Sequence, residues 1–181
     1  LFLRILTIKK DNRFDSMRGS WLRFASFWSL QAVTILLVML PVIAQYSSDP
    51  MRGGFIFYLA GGVLWTTGFI TESVADYQKS RFHKTRRSPE QFIKSGLWKY
   101  SRHPNFFGEA QCWWGIFIFT IPVLHGWLWL SLIGPVFITV LLLFVSGVPT
   151  VEEQAEKKYG HLEAYQVYKS NTPVFFPKLF R

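Results

Sequence analysis

Long uncharged stretches alternate with short polar segments along this chain. Asp, Glu, Lys and Arg are absent from residues 24–44, from residues 54–71 and from residues 110–151. A helix needs about 20 apolar residues to cross the hydrocarbon core of a bilayer, so the last stretch is long enough for two crossings. Pro122, His125 and Gly126 mark the turn between those crossings. The pattern predicts four transmembrane helices, at about residues 24–44, 54–72, 106–124 and 127–147.

Composition places the chain among membrane proteins, in one domain. Of its 181 residues, 50% are hydrophobic and only 17% are charged, whereas soluble domains have roughly 25% charged residues. The length fits a single membrane domain covering residues 1–181. The first residue is Leu1, and the opening LFLRILTI is apolar. We therefore expect an all-α integral membrane protein that forms the C-terminal part of a larger helical bundle, with further helices upstream.

The positive charge of the chain follows its predicted topology. The net charge is +9. Residues 1–23 carry six Lys and Arg, residues 73–108 carry eight and the tail from residue 147 carries five, whereas the loop after the first span carries Arg52 alone. Loops rich in Lys and Arg stay on the cytoplasmic side of a membrane. The distribution predicts that residues 1–23, 73–105 and 148–181 are cytoplasmic, and it explains the basic excess without a nucleic-acid partner.

Three glycines of the second predicted span form a stripe that ends in carboxylates. Gly54, Gly61 and Gly68 are seven residues apart, which is almost two helical turns. Small residues let transmembrane helices approach closely, so we interpret the stripe as a packing surface. Glu72 continues the stripe five turns after Gly54, and Asp76 follows one turn later. These carboxylates indicate a polar pocket or a bundle interior, and ordinary interfacial residues are the alternative.

The stretch YSRHPNFFGE gathers hydrogen-bonding groups where the third predicted span begins. Proline is favoured in the first turn of a helix, so Pro104 should start the helix directly after His103. Arg102 and His103 then stand beside exposed backbone N–H groups, an arrangement that suits a phosphate. Asn105 and Glu109 share a helix face and offer donors and acceptors to an amide-bearing ligand. An aromatic and basic belt at the membrane interface explains Arg102 and His103, but it does not explain Asn105 and Glu109.

Other segments add less to the functional picture. Residues 77–100 are polar and basic, and the turn at Ser88-Pro89 predicts a loop. The stretch VSGVPTVEEQAEKKYG, residues 145–160, predicts a loop and then a short helix that stops at Gly160. Cys112, the single cysteine, lies in a predicted span. Neither CxxC nor HExxH occurs, so the sequence indicates no metal site.

Several segments together resemble one known family. GLWKYSRHPNFFGE resembles the signature of a bacterial family of uncharacterised membrane proteins in the steroid 5α-reductase superfamily. ESVADYQKSRF, VSGVPTVEE and DNRFDSMRG are similar to further family segments in the same order, so the resemblance covers nearly the whole chain. The chain differs from the steroid reductases in having a carboxylate at Glu72 in place of an amide. It also has Arg102, His103 and Pro104 in place of small residues before the Asn.

The resemblance implies a site for NADPH. In the reductases, the equivalents of Glu72, Asp76, Asn105 and Glu109 lie around this cofactor, and basic residues nearby would meet its phosphates. We expect the following residues to bind the cofactor: Glu72, Asp76, Lys79, Tyr100, Arg102, His103, Asn105 and Glu109. The sequence assigns no catalytic residue.

A second family shares part of this pattern. Membrane methyltransferases of the isoprenylcysteine and phospholipid type also carry RHP-x-aromatic-x-G, followed by a Glu-Glu pair after the next hairpin. This chain has RHPNFFG and the pair Glu152-Glu153. The segment ESVADYQK and the ending NFFGE are more similar to the reductases, so the resemblance favours that side.

The expected function is therefore an NADPH-dependent membrane reductase. It would reduce the carbon–carbon double bond of a lipophilic enone, steroid-like or isoprenoid, with hydride supplied by the cofactor. A methyltransferase using S-adenosylmethionine and a non-catalytic lipid-binding membrane module are the alternatives. The expected partners are a lipophilic small molecule and membrane lipids. The expected location is a bacterial inner membrane, with both ends of the chain cytoplasmic. The proton donor, the preference for NADPH over NADH and the oligomeric state are left open.

Overall fold

The computed structural model describes residues 19–47, 49 and 54–178, and no strand occurs in these ranges. Its helices are α1 (Trp21–Tyr46), α2 (Phe55–Thr85), α3 (Pro104–Thr120), α4 (Ile133–Val140), α5 (Val148–Tyr159) and α6 (Glu163–Asn171). Short 3₁₀ segments cover Gly96–Lys99, Ile121–Val123 and Gly126–Leu132, and a π-helical turn covers Leu141–Val145. The predicted all-α class is confirmed for the described part of the chain. The basic segment 1–18 and Arg52 lie outside the described residues.

The described residues divide into two compact units, one ending at Leu36 and the other beginning at Leu37. In the described part of the first unit, large apolar side chains such as Trp21 and Leu30 are exposed. In the second unit, apolar side chains on α2 such as Phe55 and Phe69 are exposed as well. Exposed apolar surface of this extent is what lipid-facing helices present. All the candidate site residues belong to the second unit.

Three helical segments of the described residues are long and apolar enough to cross a membrane: Trp21–Tyr46, Phe55–Thr85 and Gly126–Tyr159. They correspond to the first, second and fourth predicted spans. The helix α3 has 17 residues and covers most of the third predicted span, but it is not one of the three segments long and apolar enough to cross a membrane. The structure is therefore consistent with a membrane protein, and the count of four crossings stays a prediction.

Glycines bring α2 and α3 into close contact. A Cβ atom added at Gly61 would lie 2.6 Å from the carbonyl oxygen of Gly115, and one added at Gly68 would lie 2.7 Å from that of Gly108. Any side chain at these positions would force the helices apart, because backbone atoms occupy the space. The packing interpretation of the glycine stripe is confirmed, and Gly54 extends it by packing against the ring of Pro122.

The structure differs from the predicted elements at two places, one predicted loop and one predicted span. The segment after residue 76, predicted as a loop, continues as helix through Thr85, and the chain leaves the helix only at Arg86. A helix can continue through polar residues beyond an apolar span, because its backbone hydrogen bonds do not depend on whether the side chains are polar. The last apolar stretch is not one regular helix but a sequence of 3₁₀, α and π segments. The short helix before Gly160 is confirmed as α5.

Candidate functional site

Contacts with α2 fix the segment that leads into α3. Gly96 has φ 63°, the left-handed region that favours glycine. The next residue, Leu97, donates its backbone N–H to Oε1 of Gln78 at 3.0 Å. The buried ring of Trp98 donates its indole N–H to the carbonyl oxygen of Ala75 at 3.1 Å. These bonds hold the approach to α3 against one helix.

The C-terminal tail fixes the same segment from its other side. The backbone N–H of Arg102 donates to the carbonyl oxygen of Pro173 at 2.9 Å. The hydroxyl of Ser101, which is fully buried, donates to the carbonyl oxygen of Phe175 at 2.9 Å. The helix α3 then starts at Pro104 with His103 as the preceding residue, as predicted. Hydrogen bonds to α2 on one side and to the C-terminal tail on the other therefore hold the segment that carries Arg102 and His103.

Glu152 of α5 joins both basic side chains. Its Oε1 lies 2.6 Å from Nε2 of His103, and its Oε2 accepts a hydrogen bond from Nη1 of Arg102. The side chains are 4% exposed for His103, 11% for Arg102 and 21% for Glu152. The imidazole also stacks on the ring of Phe106, with centroids 5.6 Å apart. The Nε atom of Arg102 is buried and has no hydrogen-bond partner among the described residues.

A cavity of about 120 Å³ lies beside this cluster. Its basic lining residues are Lys79, His83, Arg102 and His103, and its acidic lining residue is Glu152. Lys79 lies in the C-terminal part of α2, on the side predicted to be cytoplasmic. Its ammonium group is 5.2 Å from the ring centroid of Trp98. The cavity is therefore a partly enclosed space with more basic than acidic groups.

Aromatic rings form much of the cavity wall. Phe92 lies with its centroid 5.7 Å from Tyr159, 5.2 Å from Tyr165 and 5.6 Å from Tyr168. The hydroxyl of Tyr168 donates to the carbonyl oxygen of Trp98 at 2.7 Å. Burial raises the pKa of Tyr168 and, with nearby carboxylates, that of Tyr165, so both phenols keep their protons at neutral pH. Such walls offer ring faces and edges to a planar group.

Carboxylates gather where α2 packs against α3. Glu109 interacts electrostatically with Glu72 and Asp76. The close approach of the helices explains this, since a Cβ atom added at Gly108 would lie 2.6 Å from the backbone nitrogen of Glu72. One turn before Glu109, the side-chain oxygen of Asn105 is buried without a hydrogen-bond partner in the described structure. No group of His, Cys, Asp and Glu in the described residues is arranged to hold a metal ion.

The structure divides the eight predicted cofactor-binding residues. Three line the cavity: Lys79, Arg102 and His103. Four lie along α2 and α3 on the neighbouring turns: Glu72, Asp76, Asn105 and Glu109. Tyr100 belongs to neither group, because it is 38% exposed and does not line the cavity.

The sequence did not predict the aromatic wall of the cavity or the contact of Glu152 with Arg102 and His103. Glu152 lies 49 residues after His103, and only the fold brings them together. One signal was present for the wall, since Tyr165 and Tyr168 are three residues apart and therefore share a face of α6. Nothing in the sequence marked Phe92 as their neighbour.

Comparison with known proteins gives a family for the chain. A family model described as "Protein of unknown function (DUF1295)" matches residues 1–172. An uncharacterized protein of Schizosaccharomyces pombe is 27% identical over 135 residues, which cover 61% of this chain and 36% of that protein. The chain is therefore similar to little more than a third of that relative. No solved structure matches the chain.

Proposed function

The chain belongs to the DUF1295 family, within the steroid 5α-reductase-like superfamily, and from this premise we propose that it is an NADPH-dependent membrane reductase. The substrate is a lipophilic enone, steroid-like or isoprenoid, whose carbon–carbon double bond is reduced. NADPH supplies the hydride when it is bound. The lipophilic substrate reaches the site from the bilayer, and in the cell this is a bacterial inner membrane with both ends of this chain in the cytoplasm.

The observation that carries this proposal is the order of polar groups along α2. Glu72 and Asp76 come first, and Lys79 and His83 follow at helical spacing on the same face. At a rise of 1.5 Å per residue, Glu72 and Lys79 are about 10 Å apart along the helix axis. An elongated ligand with amide and hydroxyl groups at one end and phosphates towards the other matches this order.

The residues along this line fit the parts of NADPH. Asn105 has a buried side-chain oxygen without a partner, so it offers an acceptor to the nicotinamide amide. Glu109, Glu72 and Asp76 accept hydrogen bonds from ligand N–H and O–H groups. Arg102 and Lys79 face the phosphates, and guanidinium groups are well suited to bind them. Together with His103, these residues form the proposed cofactor site, and Tyr100 lies outside the cavity.

A methyltransferase is the second candidate, because of one contact. The motif RHP and the Glu-Glu pair are shared with the isoprenylcysteine and phospholipid methyltransferases. In this chain, Glu152 of that pair contacts both Arg102 and His103. S-adenosylmethionine carries a cationic sulfonium and one carboxylate, so a carboxylate set among basic groups also suits it.

Titration of the detergent-purified protein tests the proposal. NADPH, NADH and S-adenosylmethionine are titrated separately at low and high salt. We expect NADPH to bind, with affinity that falls as salt rises and falls again in Arg102→Ala. The matched control is Arg87→Ala, because Arg87 is exposed and does not line the cavity. Binding of S-adenosylmethionine without measurable binding of NADPH would reject the reductase and favour the methyltransferase.

A further inference from the structure

Arg102 and His103 are already partnered in the described structure. One carboxylate contacts both: Glu152 accepts a hydrogen bond from Arg102 and lies 2.6 Å from His103. All three side chains line the same cavity. An anionic ligand that binds the two basic groups must therefore either displace this carboxylate or bind beside it.

Glu152 does not satisfy every hydrogen-bond donor of Arg102. Glu152 contacts Nη1, whereas the buried Nε has no hydrogen-bond partner among the described residues. Lys79 lines the cavity as well, and its ammonium group lies 5.2 Å from the ring centroid of Trp98, with Asp76 interacting with it electrostatically. The cavity is therefore lined by cationic groups that an anion could contact, and the negative charge of Glu152 offsets only part of their positive charge.

We infer that Glu152 is a specificity-determining residue of this cavity, an internal counter-ion that limits its affinity for anions. This inference rests on the proposed function in taking the ligand to be a phosphate-bearing cofactor. The carboxylate lowers the affinity for phosphates by repulsion at short range, and it holds the guanidinium and the imidazole in place when no ligand is bound. The same charge favours ligands with a cationic group over ligands that are purely anionic.

The neighbouring residue provides a matched control. Glu153 carries the same charge one position later, but its side chain is 66% exposed and paired with Lys157 at 2.5 Å. Glu153→Gln and Glu152→Gln change the net charge of the protein equally. A difference between them therefore reports the local position of the charge in the cavity, because exposed charges are screened by solvent and salt.

The experiment measures the affinity for NADPH and for inorganic pyrophosphate in detergent. Glu152→Gln is expected to bind both about tenfold more tightly than wild type, equivalent to about 1.4 kcal/mol, whereas Glu153→Gln is unchanged. Glu152→Asp keeps the charge but is too short to contact both basic groups, so it should bind both ligands about threefold more tightly. This second variant tests the inference even where the Gln variant does not fold, and thermal unfolding of each variant monitors folding.

The outcomes separate the two proposals. Unchanged or weaker binding of both ligands by a folded Glu152 variant would overturn the counter-ion inference, whether or not wild type binds NADPH. If no protein binds NADPH while Glu152→Gln gains affinity for pyrophosphate, the reductase proposal fails and the role of Glu152 stands. Equal gains in Glu152→Gln and Glu153→Gln would also overturn the inference, since net charge alone would then explain them.

Discussion

Replacing Gly68 by alanine tests how the close packing of α2 on α3 supports the site. A Cβ atom at this position would lie 2.7 Å from the carbonyl oxygen of Gly108 and 2.8 Å from the backbone nitrogen of Cys112. Ordinary van der Waals contact begins at 3.4 Å. The backbone atoms of a helix cannot rotate out of the way, so the two helices must move apart by several tenths of an ångström.

Gly62 supplies the matched control for this change. It lies in the same helix, and in the described part of the chain a Cβ atom added there has no atom within 4 Å apart from the adjoining backbone of its own helix. Both substitutions gain about 1 kcal/mol of helix propensity, so the difference between them isolates the packing cost. Overpacking typically costs about 1–3 kcal/mol. For a chain of this length, each kcal/mol shifts the midpoint of thermal unfolding by about 2–4 °C.

Thermal unfolding of both variants in the same detergent measures this cost. Gly68→Ala should unfold about 2–12 °C below Gly62→Ala. It should also bind NADPH more weakly, because the separation displaces Glu72 from Glu109. Equal unfolding midpoints would refute the reasoning, since they would mean that the helices tolerate a side chain at their contact.

Two further predictions concern the polar groups of the site. Asn105→Ala and Glu109→Ala should each weaken NADPH binding by about five- to 150-fold, because a lost hydrogen bond to a buried partner costs about 1–3 kcal/mol. Thermal unfolding checks that both variants fold. If both bind NADPH with the wild-type affinity, the site lies elsewhere. Tyr168→Phe removes the bond to the carbonyl oxygen of Trp98 and should cost about 0.5–1.5 kcal/mol at neutral pH. Burial raises the pKa of Tyr168 above its ordinary value near 10. The wild type should therefore lose stability as pH rises above about 10, because the phenol ionises in the unfolded state and not in the folded state. Thermal unfolding from pH 8 to 11 measures this loss, and a loss of the same size in Tyr168→Phe would contradict the prediction.

Local signals in the sequence predicted a good part of the fold. Pro104 defined the start of α3 because proline fits the first helical turn, and Gly160 defined the end of α5. Gly61 and Gly68 predicted the packing surface of α2 because their spacing follows the helical period. The end of α2 was not predictable in this way. Residues 77–85 are polar, and an apolar pattern reports the width of the membrane rather than the length of a protruding helix.

The candidate site was only partly predictable. Arg102, His103 and Lys79 were singled out from charge and motif, and the structure places them around one cavity. Their contact with Glu152 and the aromatic wall around Phe92 depend on distant segments that the fold brings together. Such contacts leave no periodic pattern in a single sequence. Tyr100 shows the converse, because its position in the motif does not bring its side chain into the cavity.

Identification of the cofactor that the protein retains tests the proposed binding of NADPH most directly. The protein is purified in mild detergent after incubation with equimolar NADPH, NADH and S-adenosylmethionine, and native mass spectrometry then identifies the retained molecule. Wild type is expected to retain NADPH at about one molecule per chain, and Arg102→Ala is expected to lose it. Retention of S-adenosylmethionine in place of NADPH would contradict the account.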